Sequence, residues 1–383
     1  MNQDNKNFVL FAVIAALILF GWPLIQNRFF PTANPPVTKI EKGETKVVPN
    51  PAADPTADSP AAIRDRKVVL AESPRVRIQT PTMQGSINLK GARIDDLLLL
   101  RHKETIAKNS APIRLLSPGG ATDAYFAAFG WRDEGLSPPG ANTVWTASAP
   151  VLSPGKPVTL TAANGRGQRF AIELSVDDAY MFSVRQTVAN GGTGAVPVAT
   201  FGLVNRTGVS KDPDSWTVHT GPMSAHNGKA DYDVNFSDVD EAPQRFSTTG
   251  GWLGFADKYW LTALIPDQAR AFEGQYRAGS NKAYQADYTA APQLLQPGRQ
   301  ITQTARFFAG AKEVNLLDDY QDKAGIAQFD RAIDWGWFRL VEKPIFYVLH
   351  WLFEMVGNFG VAIILLTLLI LSLIHISEPT RHA

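Results

Sequence analysis

Apolar and polar positions alternate along most of the chain, from about residue 67 to residue 310. The clearest run extends from Arg169 to Asp177, where every second residue is apolar and most residues between are polar. Similar runs begin at Phe182 and at Val196, separated by turn-prone Asp, Asn and Gly residues. A period of two is typical of a half-buried strand. Because strand follows strand without a helix between, residues 67–312 are predicted to form an antiparallel β-sandwich.

Two stretches of twenty residues without a formal charge, 8–27 and 355–374, flank this region. A helix of that length rises about 30 Å and satisfies its own backbone hydrogen bonds in lipid. We therefore predict two transmembrane helices, with both termini on one side of the membrane. The first is interpreted as an uncleaved signal-anchor, since no small-x-small site follows closely. Lys6 favours a cytoplasmic location for residues 1–7 and thus for both termini.

Three further segments break the alternating pattern. Residues 28–66 are rich in Pro, Ala, Thr, Asp and Lys, which predicts a disordered, semi-extended linker. Helical spacing predicts a helical connector at 313–333 and an amphipathic helix at 334–354. The polar stripe of that second helix contains Arg339 and Lys343. The helix either continues through Pro344 or restarts there. Its apolar surface is expected to lie in the bilayer interface.

Composition excludes several classes of function. The 383 residues are 45% hydrophobic and carry a formal charge of +1, so no charge bias points to nucleic acid. The chain has no cysteine, which rules out disulfides, thiolate catalysis and Cys-ligated zinc. We expect no cofactor, no metal and no catalytic residue.

Other candidate chemistry is weak. His102, His219 and His226 are the candidates for an acid/base pair, but scattered polar histidines are mostly structural or solvated. Residues 231–240 carry four aspartates, yet they lack the glycine and terminal glutamate of an EF-hand loop, and their alternation predicts a strand with one wet face. Asp318-Asp319 is interpreted as a pair of turn or helix-surface carboxylates.

Aromatic residues are concentrated in one part of the predicted sandwich. Trp252, Phe255, Tyr259 and Trp260 lie within nine residues of one another. Large aromatic side chains carry much of the buried area of a core. We therefore expect this cluster to be sandwich core rather than a ligand platform.

Three separated motifs carry a family resemblance. DNKNF at residues 4–8, GGWLGFADKYWLTALIP at 250–266, and DWGW at 334–337 followed by GNFGVAII at 357–364 resemble the bacterial branch of the YidC/Oxa/Alb membrane insertases. The match runs from residue 3 to about residue 370. It implies a multi-pass protein of the bacterial inner membrane with a periplasmic, mutarotase-like supersandwich. An interfacial helix, to which Trp335 and Trp337 would belong, then leads into a five-helix insertase core.

The resemblance also implies a mechanism and partners. Members of this family hold polar segments of nascent membrane proteins in a wet groove that opens to the cytoplasm and to the lipid bilayer, with or without the Sec translocon and ribosomes. Thr367 matches a groove-lining threonine. The family carries Lys or Arg four residues later, where this chain has Leu371, so the groove cation is lost.

The last residues depart from the family. From residue 371 onward, including the tail at 375–383, nothing resembles the family, which would continue through four more spans and its ribosome-binding region. We expect a truncated or chimaeric reading frame that does not insert proteins by itself. The alternatives to an insertase and chaperone are a membrane-tethered periplasmic carbohydrate-binding or carbohydrate-modifying protein, and a scaffold that binds partners through a strand edge.

Overall fold

The computed structural model describes residues 38–41, 44–47, 64–132, 136–210 and 218–377. Side chains are described within residues 64–373 of these ranges, except that of Trp337. The chain divides into two units, residues 1–54 and 55–383. The predicted cytoplasmic segment 1–7, the first predicted span at 8–27 and the end of the tail at 378–383 lie outside the described residues.

The described part of the first unit is a short hairpin. Strands β1 (Thr38–Glu41) and β2 (Glu44–Val47) pair antiparallel, with Thr38 opposite Val47. Over these two strands this differs from the disordered linker predicted for 28–66, most of which lies outside the described residues. The reason is local: β-branched residues alternate with charged ones on both strands, and this pattern favours a strand over an irregular tether.

The second unit begins with a short helix, α1 (Arg66–Ala71), whose N-cap Asp65 accepts a hydrogen bond from the Lys67 N–H at 2.8 Å. The strands of this unit are β3 (Arg75–Gln79), β4 (Met83–Asn88), β5 (Arg93–Lys103), β6 (Pro112–Leu116), β7 (Tyr125–Arg132), β8 (Thr146–Ala147), β9 (Val151–Leu152), β10 (Val158–Ala163), β11 (Gln168–Val176), β12 (Met181–Asn190), β13 (Val196–Thr207), β14 (Gly221–His226), β15 (Lys229–Asp231), β16 (Gln244–Thr249), β17 (Trp252–Ala256), β18 (Trp260–Ile265), β19 (Ala271–Ala278), β20 (Ala283–Ala290), β21 (Gln293–Leu295) and β22 (Gln300–Ala311).

These strands form two sheets that pack face to face. One runs in the order β15-β14-β17-β18-β22-β12-β11-β10-β8, and the other in the order β16-β19-β20-β13-β7-β5-β4-β3-β9. Strand β6 pairs with β5, and β21 with β13. Among the described strands every pairing is antiparallel except that of β3 with β9. The predicted antiparallel β-sandwich is therefore confirmed, with one parallel pair at an edge.

The core forms because inward positions of both sheets are apolar. On β11 the alternating residues Phe170, Ile172 and Leu174 are each 1% exposed, as the period of two predicts. Across the core, Tyr125 Oη and Thr262 Oγ1 lie 2.7 Å apart and join the two sheets. These two buried hydroxyls thus bond to each other, which compensates for the hydrogen bonds to water that they lose on burial.

The aromatic cluster is only partly core. Trp252 and Phe255 are buried on β17, but Tyr259 is 56% exposed. Tyr259 precedes β18 in the turn after β17, where its side chain can leave the core. The expectation that all four aromatic residues are core is wrong for Tyr259.

The aspartate-rich segment 231–240 is not a single strand, contrary to the sequence prediction. Its second half forms helix α2 (Phe236–Glu241). The Asn235 N–H donates to Asp238 Oδ2 at 2.8 Å, which satisfies a donor at the helix start. Phe236 then packs on Phe255 with ring centroids 6.0 Å apart, so the acidic residues surround an anchored turn of helix.

The chain leaves the sandwich through helical segments: α3 (Val314–Ala324), 3-10 helices Phe329–Ala332 and Gly336–Phe338, α4 (Arg339–Val356) and α5 (Phe359–Ser377). The predicted helix 334–354 therefore starts later than expected. Gly336 adopts φ +56°, which is incompatible with a regular right-handed helix. Pro344 lies inside α4 and does not divide it.

The predicted span 355–374 falls on two helices. Gly357 takes φ +67° and its N–H donates to Phe353 O at 2.7 Å, which ends α4. Asn358 Oδ1 then accepts from the N–H groups of Gly360 and Val361 at 2.9 and 3.2 Å and caps α5. Over the described part of the chain, no helix combines the length and the apolar character that crossing a membrane requires.

Candidate functional site

Helix α4 has one face that contacts the sandwich unit through polar side chains. At about 100° per residue, Arg339, Lys343, Tyr347 and His350 share this face. They meet carboxylate and amide groups of α3 and of the 3-10 helix Phe329–Ala332 that follows it. We refer to Asp318, Asp330, Arg339, Lys343 and Tyr347 as the joint.

Two aspartates receive the cations of the joint. Lys343 Nζ lies 2.7 Å from Asp318 Oδ1 and 2.9 Å from Asp330 Oδ2. Arg339 also donates to Asp330, and Tyr347 donates its hydroxyl to Asp318. The Asp330 side chain is only 3% exposed. Removing either partner of such a pair is costly, because it leaves a buried and uncompensated charge.

The joint shifts the pKa values of its own groups. Burial acts to raise the pKa of Asp330, but hydrogen bonds from Lys343 and Arg339 outweigh it and hold that pKa below its ordinary value. Burial acts to lower the pKa of Lys343, yet the bonds to Asp318 and Asp330 raise it. Asp330 and Lys343 are therefore both charged near neutral pH.

The two aspartates of the joint, Asp318 and Asp330, are each next to a residue that packs in the core. Phe329, next to Asp330 in the chain, packs against Trp252 with ring centroids 5.5 Å apart. Tyr320 of α3 donates to Asp177 Oδ2 at 2.5 Å, at the end of β11. Leu317, beside Asp318, is fully buried. The sandwich thus fixes the position of the carboxylates that hold α4.

The opposite face of α4 is apolar and open. Leu340 is 89% exposed and Trp351 is 57% exposed. The other exposed apolar side chains of this helix are Val341, Ile345, Met355 and Val356. On α5 the exposed apolar side chains are Phe359, Val361, Ile363, Ile364, Leu368, Leu369, Ile370, Leu371 and Leu373. Contiguous apolar surface of this kind marks an interaction with protein or membrane.

The predicted interfacial residues are placed differently from one another. Arg339 and Lys343 contact the sandwich unit instead of forming a solvent-facing stripe. Trp335 precedes α4, with its ring 5.9 Å from that of Phe346 in an edge-on arrangement. The side chain of Trp337 lies outside the described residues. The joint therefore brings two of the four predicted residues together.

Thr367 and Leu371 lie one turn apart on α5. Thr367 Oγ1 donates to Ile363 O of the preceding turn at 2.9 Å. Its hydroxyl is therefore already satisfied within the helix. Leu371 is 47% exposed. Both residues lie on surface that the described chain leaves open.

The three histidines lie at separate places. His102 packs edge-on against Trp260 at 5.3 Å, with Nε2 3.2 Å from Tyr180 Oη. His219 Nε2 lies 2.8 Å from Pro222 O. His226 stacks on Phe246 at 4.3 Å, and burial lowers its pKa. No two of them share a site, and the described residues contain no group of three metal-ligating side chains.

Two clefts are open on the sandwich unit. One, of about 450 Å³, lies on the outer face of β11, β12 and β22 and is lined by polar residues that include Glu173, Arg185 and Arg306. The other, of about 390 Å³, lies beside the segment that leads into α3 and includes Lys258, Tyr259 and Lys312. Neither cleft contains a pair of the three histidines.

Sequence reasoning missed the acidic half of the joint. Asp318-Asp319 was expected to be a turn or helix-surface pair. Asp319 fits, since it pairs with Lys323 at 2.9 Å and its side chain is 55% exposed. Asp318 instead holds Lys343 and Tyr347. The signal in the sequence was the apolar residue Leu317 beside it, which indicates that this side of α3 packs against the core. In the structure Leu317 is buried.

Comparison with known proteins identifies the family. Residues 75–348 match the model of the YidC periplasmic domain. The chain belongs to the YidC family. It is 44% identical over 385 positions to the membrane protein insertase YidC of Zymomonas mobilis, covering 100% of this chain and 66% of that protein. It is 38% identical to that of Beijerinckia indica, covering 97% of this chain and 65% of that protein. The predicted resemblance is confirmed, and the chain spans slightly less than two thirds of the length of these YidC proteins.

Solved structures show a more distant likeness. A galactose mutarotase related enzyme from Lactobacillus acidophilus superposes with a TM-score of 0.43 and 9% identity, covering 61% of this chain and 97% of that one. This likeness is too distant to carry an argument about activity. The YidC relatives do not favour the carbohydrate-binding alternative.

Proposed function

We propose that this chain is part of a membrane protein insertase and folding chaperone of the bacterial inner membrane. The observation that carries the proposal is the two-faced helix α4. Its polar face is tied to the sandwich by a buried ion-pair network, and its apolar face is open together with that of α5. An apolar face of this kind suits the boundary between head groups and acyl chains.

In this proposal the sandwich stands in the periplasm, with a mutarotase-like arrangement of its sheets. The apolar stretches 8–27 and 355–374 are spans, and both termini are cytoplasmic. Membership of the YidC family supports this orientation, and the exposed apolar side chains of α4 and α5 support contact with the membrane. The partners are nascent membrane proteins, the lipid bilayer, the Sec translocon and, at the level of the family, the ribosome.

The proposed activity lowers a barrier and makes or breaks no bond, so the chain is not an enzyme. An unpaired polar group costs several kcal/mol when it enters hydrocarbon. A polar groove beside the lipid shortens that passage for the polar part of a client. We propose that Thr367 lines this groove. With leucine at 371, the groove lacks a cation for acidic client segments.

Photo-crosslinking in native membranes tests the proposal. A photoreactive residue replaces Thr367 in the full chain, and a second variant carries it at Lys156, an exposed residue of the sandwich. Nascent single-span clients are expected to crosslink at position 367 and not at position 156. Adducts confined to the sandwich would favour the scaffold alternative and count against an insertase.

Restoring the missing cation gives a second, independent test. Leu371→Arg is expected to increase the yield of crosslinks from position 367 to a client with acidic flanks. Leu373→Arg, two residues away and therefore about 200° around the helix, is the matched control. An equal increase in both variants would mean that any positive charge on α5 suffices and that position 371 has no special role.

A further inference from the structure

One apolar side chain projects into solvent from the loop that joins β5 to β6. Ile106, at the tip of this loop, is fully exposed. The loop is closed by its own hydrogen bonds: the Glu104 N–H donates to Ala111 O at 3.0 Å, and the Thr105 N–H donates to Ser110 Oγ at 2.9 Å. The backbone is thus held on both sides of Ile106, which keeps this side chain away from the core. A single exposed apolar residue is common on a protein surface, so its position decides what it means.

The direction of α4 identifies the end of the sandwich that faces the bilayer in the proposed placement of this helix. α3 starts after the end of β22 and runs back along that strand, since Arg306 of β22 donates to the last carbonyl of α3 at 2.7 Å. Lys343 of α4 contacts Asp318. His350, about two turns later, contacts Asn315, which lies closer to the start of α3. α4 is therefore antiparallel to α3 and runs in the direction of β22, toward the end at which this strand stops.

The β5–β6 loop leaves the sandwich at this same end. His102, two residues before the loop, has its Nε2 3.5 Å from Oε1 of Glu313, which follows β22 by two residues. Tyr259 lies there as well, because its carbonyl accepts from the first N–H after β22 at 2.9 Å, and its side chain is exposed. Exposed Tyr and Trp side chains are typical of the head-group region. Ile106 therefore projects from the end that also presents Tyr259 and, on α4, Trp351.

The loop is long enough to reach the same plane as the end of α4. Ile106 lies four residues beyond His102, and an extended chain rises about 3.3 Å per residue, so the tip extends at most about 13 Å past this histidine. α4 continues for six residues beyond His350, which corresponds to about 9 Å. The two histidines contact Glu313 and Asn315, both at the start of α3. One lipid surface can therefore contact both Ile106 and the end of α4.

Cationic side chains flank the apolar tip. Lys103 and Lys108 are both exposed, one on each side of Ile106. Over residues 101–111 the loop and its base carry three cations and one carboxylate, Glu104. An apolar tip between lysines matches a bilayer surface with anionic head groups, since the apolar side chain can enter the lipid while the ammonium groups stay at the phosphates.

Leu294 is a natural contrast to Ile106. Its side chain is 60% exposed, and its neighbour Leu295 pairs with Val196 at the start of β13. β13 and β5 are both antiparallel to β7 and therefore run parallel to each other. The start of β13 thus lies at the end of the sandwich opposite to the β5–β6 loop. Leu294 is an exposed apolar residue that the same bilayer would not reach.

We propose that the β5–β6 loop is a second membrane contact of the sandwich, with Ile106 in the bilayer interface and Lys103 and Lys108 at the phosphates of anionic lipids. The proposal rests on the proposed placement of α4. It needs no insertion of clients, so its failure and the failure of the insertase activity are measured separately. β5 belongs to one sheet, and α4 is attached to the other through α3. Contacts from both sheets would hold the sandwich at one angle to the bilayer.

Spin labelling of the full chain in lipid nanodiscs tests the proposal. The chain has no cysteine, so Ala107→Cys, next to Ile106, accepts a single label. Insertion is measured as the accessibility of the label to oxygen relative to a water-soluble nickel complex, in nanodiscs of phosphatidylglycerol and, separately, of phosphatidylcholine. A label on Trp351→Cys measures the placement of α4. A label on Leu294→Cys measures the opposite end of the sandwich.

Labels at positions 107 and 351 are expected to favour oxygen, and the label at position 294 is expected to favour the nickel complex. With the label at 107, Ile106→Ser should lower the ratio of inserted to free loop by about tenfold or more, because this is the worth of moving one large apolar side chain out of water. Ile106→Leu keeps an apolar side chain of the same size and should keep the ratio.

The lysines are tested with the same label. Lys103→Gln with Lys108→Gln should lower the ratio in phosphatidylglycerol by about fivefold for each lysine, and should change it little in phosphatidylcholine. The matched control is Arg166→Gln with Arg299→Gln, which removes two exposed cations at the end where Leu294 lies. This control should leave the ratio unchanged in both lipids.

Several results would overturn the proposal. A label at 107 that stays in water while the label at 351 is inserted would exclude the loop contact and leave the placement of α4 intact. A label at 351 in water would contradict the placement of α4, on which the loop contact rests, and so overturn both. Insertion of the label at 294, or an equal loss in the lysine variant and the arginine control, would show that the contact is not specific to this loop.

Discussion

The joint makes a sharp prediction about Asp330. Asp330→Asn keeps the size of the side chain but removes the charge that Arg339 and Lys343 share. Lys343 retains Asp318 at 2.7 Å, and the asparagine oxygen still accepts one hydrogen bond, so only part of the network is lost. Charge-assisted bonds contribute about 1.5–3 kcal/mol each, and breaking a buried pair costs about 3–5 kcal/mol. We therefore expect the docking of α4 to weaken by about 2–3 kcal/mol.

Hydrogen exchange of the full chain in lipid nanodiscs measures this loss. A change of 2–3 kcal/mol corresponds to about 30- to 150-fold faster exchange of the α4 amides that face the sandwich. Asp319→Asn is the matched control, because Asp319 pairs with Lys323 at the surface and should change exchange by less than about threefold. If Asp330→Asn also stays below threefold, the joint does not hold α4, and the argument from burial is wrong.

Three other predictions concern pH, a cap and the core. Because the pKa of Asp330 is held below its ordinary value of 3.8, its contribution to α4 docking is present above that pH and is lost as the pH falls through the lowered value. The protection of the α4 amides, which is their exchange rate relative to the intrinsic rate at each pH, should therefore stay flat near neutrality and fall only below about pH 4. Asn358→Ala should cost α5 about 1 kcal/mol by removing its cap, seen as faster exchange in the first turn only, and uniform loosening of α5 would contradict this. A methyl group on Gly310 would lie 2.2 Å from Tyr180 Cγ, so Gly310→Ala should lower the free energy of unfolding by about 1–3 kcal/mol in a denaturant titration, whereas Gly194→Ala, with open space around it, should have little effect.

The alternation of apolar and polar residues predicted the sandwich well. On β11 the pattern reproduces the buried and exposed positions residue by residue, because each strand has one core face and period two is unambiguous there. The sequence could not predict helix α2 within 231–240. Alternation over a few residues fits either element, and the hydrogen bond between Asn235 and Asp238 decided the outcome.

The joint was only half predictable. Arg339 and Lys343 were found from the helical period of the last segment, since that period depends on neighbouring residues alone. Their partners Asp318 and Asp330 come from other elements and meet them only where α3 packs on the sheet that contains β11 and β22. A single sequence does not show such a tertiary contact, so the sequence predicts only that Arg339 and Lys343 lie on the polar stripe of an interfacial helix. The prediction of one span over 355–374 rests on the absence of charged residues, which carries no information about backbone conformation. It therefore misses the turn at Gly357-Asn358.

The position of Asp330 has a mechanical consequence. It is backed by Phe329 against Trp252, and it receives two donors from successive turns of α4. Two attachment points on one helix resist rolling about its axis as well as lifting from the surface. A force on the sandwich would therefore act on α4 as a torque. In its proposed position in the bilayer interface, α4 would respond to that torque by tilting.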